Sequence, residues 1–159
     1  MNIKNNRKEL RDVVESYRAT GQSIGLCHGC FDIIHPGHIY HLKQANAGVD
    51  RLIVSITADK FVNKGKDRPV FSAQKRAEVM ASIRYCDVVF INHGDTAEQL
   101  IELVEPELFF KGPDYKTGHD PRVSAEKSLV EKHGGQLKFT DKNIFDSTSR
   151  IAQLLMSGG

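Results

Sequence analysis

The sequence predicts one doubly wound α/β domain with about five parallel strands. Three observations predict it. Short apolar runs alternate with amphipathic helical stripes along nearly the whole chain. The apolar runs lack the in–out alternation of a half-wetted sheet, as expected when helices cover both faces. Glycines, histidines and cations collect just after those runs, where an open parallel sheet presents its ligand-binding rim.

The elements follow in order. Leu10, Val13, Val14 and Tyr17 make the stripe of a first helix, and Gly21 suits its stop. Residues 24–27 read as a buried strand, which breaks into the glycine- and histidine-rich stretch 28–38. A helix follows with Ile39, Leu42 and Ala45 on one side and Gly48 as its cap. Residues 52–56 are a second strand, and Ser72 caps a helix whose inner face is Ala73, Ala77, Met80 and Ala81. Residues 88–91 are a third strand. Thr96 with Gln99 predicts a capping box before Leu100, Ile101 and Val104, and Pro106 closes that helix. Residues 108–110 form a fourth strand, 124–133 a helix ended by Gly134 and Gly135, and 137–139 a fifth strand. A last helix starts at Ser147–Ser149 and buries Ile151, Leu154 and Leu155. The organisation is a lead-in helical segment (1–21) packed on the domain, the domain itself (22–156) and a short tail (157–159).

Composition narrows the function. With 159 residues, 40% apolar and 26% charged, the chain can bury a core without staples. No apolar run reaches the roughly 18 residues of a membrane span, and the polar start does not read as a secretory signal. Twenty-two basic against 20 acidic residues is too even for a nucleic-acid coat. Three cysteines fit a reduced, cytoplasmic chain rather than a disulfide scaffold.

Four segments after the strands carry the unusual chemistry: 28–38, 64–69, 111–115 and 147–150. Together they offer imidazoles, cations, free backbone N–H groups and a hydroxyl-rich helix start, a set that suits a nucleoside triphosphate. Neither G-x-x-x-x-G-K-[ST] nor G-x-G-x-x-G is present. Cys27 and Cys30 with His35 and His38 could instead form a zinc or redox module, but only four residues separate the pairs. A nucleotide-binding protein without catalysis is a further alternative, against which the intact histidine pair argues.

Gly29-Cys30-Phe31-Asp32 running into His35-Pro36-Gly37-His38, then Lys111-Gly112-Pro113-Asp114-Tyr115, then Ser147-Thr148-Ser149, resembles the cytidylyltransferase-like nucleotidylyltransferases. Within them the chain is most similar to the adenylyltransferase domain of bacterial ADP-heptose synthase, and it shares His-x-Gly-His with glycerol-3-phosphate cytidylyltransferase. The resemblance implies a Rossmann-like fold. It implies transfer of a nucleotidyl group from an NTP to a phosphorylated sugar, with release of pyrophosphate. ATP and a heptose 1-phosphate are favoured. CTP with a polyol or sugar phosphate is the alternative. It implies Mg²⁺ carried with the NTP, no metal held by protein side chains alone, and a homodimer.

It also implies residue roles. His35, His38 and Lys64 stand at the reacting phosphates. Gly29, Cys30, Phe31, Gly37, Lys111, Gly112, Asp114, Tyr115, Ser147, Thr148 and Ser149 surround the nucleotide. Lys66 and Arg76 are expected at the substrate phosphates, and Asp32 either binds substrate or braces the loop. The chain departs from the heptose enzymes at Cys27-His28, where those usually show Thr-Asn, and in a longer stretch over 116–135. Both departures bear on the acceptor pocket.

Overall fold

A computed structural model of the chain describes residues 2–116, 118, 120–141 and 156. Six strands, all parallel, form one sheet: β1 (Ile3–Lys4), β2 (Ile24–Gly29), β3 (Arg51–Thr57), β4 (Val88–Asn92), β5 (Leu108–Lys111) and β6 (Gln136–Phe139). Their order across the sheet is β1-β4-β3-β2-β5-β6. The five predicted strands are all present. The sixth, β1, pairs Ile3 and Lys4 with Val89 and Phe90; two residues are too few to carry a periodic signal.

Five α-helices cover the sheet: α1 (Arg7–Ala19), α2 (Pro36–Ala47), α3 (Ala73–Ala81), α4 (Glu98–Val104) and α5 (Pro121–Lys132). The strand residues sort by parity. Ile24, Leu26, Ile53, Val88, Phe90 and Phe109 pack with Leu10, Val14, Ile101 and Val130 of α1, α4 and α5. Cys27, Leu52, Val54, Ile56, Val89 and Phe110 pack with Leu42, Ala45, Ala77 and Met80 of α2 and α3. Alternate side chains of one strand therefore enter two separate cores, which is why the runs are apolar throughout. Leu10 and Val14 lie in the first core, so α1 is part of the same packing.

The helix starts follow local chemistry. Asn6 caps α1 by accepting from Glu9 N at 2.9 Å, and Ser72 caps α3 by accepting from Lys75 N at 3.3 Å. Asp120 caps α5 through Arg122 N at 2.9 Å, three residues earlier than the sequence predicts, because Pro121 fits the first helical position. The predicted capping box at Thr96 is not formed. Helix α4 starts at Glu98 after Ala97, and the Thr96 hydroxyl accepts from Glu98 N at 3.3 Å in a tight turn instead. The predicted last helix and tail lie outside the described residues apart from Met156.

Candidate active site

Strand order reverses between β2 and β5. The chain runs outward from β2 through β3 to β4, then returns to add β5 on the other side of β2. Open α/β sheets bind ligands at such a switch point, beyond the carboxyl ends of the strands. Here Cys27 stands opposite Phe110. The ends of the two central strands therefore deliver His28-Gly29 and Lys111-Gly112 side by side.

Beyond β2 the chain turns into α2, and two imidazoles build that helix start. Gly37 N donates to His35 Nδ1 at 3.1 Å, and His35 N donates to His38 Nδ1 at 3.3 Å. This is a reciprocal cap made of two histidines. A backbone N–H can only donate, so each Nδ1 carries a lone pair. In the neutral imidazole the proton then sits on Nε2, the nitrogen the cap does not use. The two rings stack with centroids 3.8 Å apart. Burial, with help from His35, His41 and Lys64, lowers the His38 pKa to about 4, and burial lowers that of His35 too. Both rings are thus neutral Nε2–H donors near neutral pH, at the positive end of a 12-residue helix.

Two glycines make room for this arrangement. A Cβ on Gly37 would stand 2.8 Å from His35 Cε1, and one on Gly29 would stand 2.9 Å from the Phe31 ring. Phe31 adopts φ +50°, is buried, and meets His38 edge-on with centroids 5.4 Å apart. It thus supports the imidazole from behind.

Two residues expected at the substrate, Asp32 and Arg76, are hydrogen-bonded within the protein. Asp32 is buried and accepts from Val70 N at 2.7 Å, Phe71 N at 2.9 Å and Arg68 Nε at 2.8 Å. Burial alone would raise its carboxyl, but those donors hold it below its ordinary value. Asp32 ties the loop after β3 to the histidine segment. Arg76 is 1% exposed. It donates to the carbonyls of Phe71, Cys30 and Thr57 at 2.7–2.9 Å and to Asp59 at 2.6 Å. Its guanidinium is turned inward as a brace beneath the site. The stripe of α3 conceals this, since a lone arginine on a helix reads as solvated.

A cavity of about 460 Å³ opens beside the histidine segment, with His28, Gly29, Cys30, Lys64, Lys111 and Tyr115 in its walls. Three of the four sequence-predicted segments, 28–38, 64–69 and 111–115, meet here or at its edge, and Lys64 faces both the cavity and, electrostatically, His38. Lys66 and Asp114 are exposed and outside its walls, and Gly112 is partly buried beside it. Ser147, Thr148 and Ser149 lie outside the described residues.

The cavity also holds Asp95 and Thr96, together with two residues to which the sequence assigns no role, Arg122 and Glu126. Glu126 was findable. It falls at i+3 from Val123 and i−4 from Val130, on the buried stripe of α5. Its carboxylate lies 3.1 Å from Lys111 Nζ, and both residues are under 10% exposed. Lys111 Nζ also sits 5.0 Å from the centre of the Tyr115 ring. Burial raises the Glu126 carboxyl, and Lys111 offsets part of that rise. His28 Nδ1 is 3.0 Å from Ser55 Oγ, and His41 Nδ1 is 2.7 Å from Thr140 Oγ1. Burial and the Lys111 charge lower both imidazoles to about 4.

The cysteines do not support the metal or redox reading. Cys27 is fully buried in the second core, and burial pushes its thiol well above the ordinary value. His35 and His38 spend Nδ1 on the helix cap. Among the described residues no three His, Cys, Asp or Glu groups converge as a metal site.

Comparison with known proteins agrees with this geometry. Residues 26–154 match the model of the family described as cytidylyltransferase-like. The chain is 40% identical over 153 residues to the bifunctional protein HldE of Acidiphilium cryptum, covering 95% of this chain and 31% of that protein. It is 43% identical over 147 residues to the HldE protein of Caulobacter vibrioides, covering 91% and 30%. The chain thus spans about 30% of the length of the curated relatives it matches. Among solved structures, a lipopolysaccharide core biosynthesis protein from Thermoplasma volcanium superposes with a TM-score of 0.62 at 27% identity, over 77% of this chain and 99% of that one. Pantoate-beta-alanine ligase from Francisella tularensis, at 20% identity and a TM-score of 0.63 over 91% of this chain and 69% of that one, shares the fold.

Proposed function

Because the chain belongs to the cytidylyltransferase-like family, we propose that it is a nucleotidylyltransferase acting on a sugar phosphate, with ATP as donor and a heptose 1-phosphate as acceptor. The observation that carries this reading is the pair of imidazoles whose cap leaves both protons on Nε2. In the proposed reaction an acceptor phosphate oxygen attacks the α-phosphorus of the NTP. The bond from that phosphorus to the bridging oxygen breaks, and pyrophosphate leaves. Negative charge grows on the oxygens around phosphorus. His35 and His38 hydrogen-bond those oxygens without giving up a proton, and the helix dipole adds to the attraction. Lys64, between the cavity and His38, is placed to neutralise phosphate at the junction of donor and acceptor. No covalent intermediate is required; positioning and charge supply the rate.

Mg²⁺ carried with the NTP would offset the charge of its phosphates. Mg²⁺ commonly keeps phosphate and water ligands, and Lys64 and Arg122 in the cavity wall would share the phosphate charge with it. Lys111, Gly112, Asp114 and Tyr115, with Ser147, Thr148 and Ser149, are assigned to the nucleotide on the resemblance of their segments. The relatives' HldE name and the lipopolysaccharide title support the sugar acceptor. We further propose a cytoplasmic homodimer, with exposed Val70, Phe71 and Val79 as its apolar contact. Among the described residues no helix is long and apolar enough to cross a membrane. Light scattering tests the dimer.

Pyrophosphate release tests the reaction, with ATP or CTP as donor and heptose 1-phosphate or glycerol 3-phosphate as acceptor. Turnover with ATP and the heptose phosphate is the expected result. Turnover with CTP and glycerol 3-phosphate alone moves the enzyme to a polyol cytidylyltransferase. No release under any pairing overturns the catalytic reading in favour of a nucleotide-binding protein.

A further inference from the structure

One group in the cavity has no role in the transfer of the nucleotidyl group. Glu126 is 6% exposed, yet it lines the cavity. Its Oε2 is buried 3.1 Å from Lys111 Nζ, whose charge and hydrogen bond offset only part of the cost of burial, and no other described residue donates to it. A buried carboxylate left this way is costly, because it has lost water and gained only part of a replacement. A ligand hydroxyl would supply the missing donor.

The surroundings fix what kind of ligand that is. Lys111 already balances the Glu126 charge, so the pair calls for a neutral donor rather than a cation. Lys64 and Arg122 also line the cavity and can take a phosphate. At about 460 Å³, the space falls within the usual range for a small ligand, roughly 300–1,000 Å³. The cavity thus offers cations for a phosphate and one underbonded carboxylate for a hydroxyl.

We propose that Glu126, held by Lys111, accepts a hydrogen bond from a hydroxyl of the acceptor and selects a hydroxylated sugar phosphate over one that lacks that hydroxyl. This rests on the nucleotidylyltransferase reading and deepens it. Glu126 is a specificity determinant; it does not touch the reacting phosphorus. An acceptor without the hydroxyl leaves the carboxylate unpaired, which costs discrimination of roughly tenfold to hundredfold.

The test measures pyrophosphate release from ATP with a heptose 1-phosphate and with each of its monodeoxy analogues, in the unaltered protein, Glu126→Ala and Glu126→Gln. In the unaltered protein one analogue is expected to lose about tenfold or more in kcat/KM. In Glu126→Ala that penalty falls to within about twofold. A purely structural Glu126 would depress all acceptors alike and leave the penalty intact. Glu126→Gln keeps the size of the side chain and an acceptor oxygen while removing the charge, and covers the case in which Glu126→Ala fails to fold. If the unaltered protein turns over and the deoxy penalty survives in the variants, or no analogue is penalised, the proposal is overturned. If the unaltered protein releases no pyrophosphate with any sugar phosphate, the catalytic reading itself falls and takes this assignment with it.

Discussion

The two sides of the site are built in opposite ways. The histidine side is local. His35, Gly37 and His38 lie within four residues, and the cap that orients the rings is a property of the first turn of α2. The cavity side is assembled from a distance. His28 ends β2, Lys111 ends β5, and Glu126 arrives on α5, so their meeting depends on the sheet order. The first side is rigid in sequence, because each member needs its neighbours at fixed spacing. The second is free to vary, since a side chain on α5 can change without disturbing the cap. In the proposed reaction the chemistry sits on the local side, and acceptor choice is proposed for the cavity side.

The largest expected effect breaks the local side. His38→Ala removes one Nε2–H donor and should lower kcat by about a hundredfold or more, on the order of 3 kcal/mol. The variant's circular dichroism melt should stay close to the parent's. Near-parental turnover would remove the histidines from the mechanism.

Arg76→Ala attacks the brace beneath both sides. Three carbonyls and Asp59 lose their donor, which should cost on the order of 2–3 kcal/mol in a urea unfolding titration. A variant of unchanged stability but raised KM for ATP would return Arg76 to the ligand.

Gly37→Ala is subtler. The added Cβ meets His35 Cε1 at 2.8 Å, so the ring must move, and we expect about a tenfold loss of kcat with little change in melting temperature. If His38→Ala is severe and Gly37→Ala silent, His35 placement matters less than that of its partner.

The smallest effect sharpens the comparison by titration. His38 from one side and His28 from the other, with His41, have folded pKa values of about 4, below an unfolded value near 6.5. The unfolded chain therefore takes up these protons first. Their contribution to stability is complete above pH 6.5 and is lost as pH falls toward 4. The melting temperature should drop by several degrees between pH 7 and pH 5. His28→Asn should flatten part of that slope. A pH-independent melt, or imidazole NMR signals titrating near 6.5, would contradict the burial that the packing implies.

Most of the sheet was legible in the sequence because each central strand is a complete apolar run. The helix cap at His35 was legible in part: Pro36 and Gly37 mark the turn, and the histidine spacing marks the function. The reciprocal use of Nδ1 was not, because it depends on ring rotamers. The hydrogen bonds of Arg76 and Asp32 were not legible either. A charged residue beside a basic loop looks like a phosphate ligand until its hydrogen bonds show that the backbone has used it. Glu126 could have been noticed as a charge on a buried stripe, but its partner lies 15 positions earlier on another element. The two departures from the heptose pattern, His28 and the 116–135 stretch, meet in one cavity.

The histidine cap has one further consequence. Asparagine also caps helices well, so His35→Asn can keep α2 in place while deleting the distal proton. At that position folding asks only for an acceptor near the backbone, whereas catalysis asks for a donor a ring's width further out. A protein could therefore lose its activity at this turn without any sign of instability, and a surviving, well-folded, silent descendant would betray itself by that single substitution.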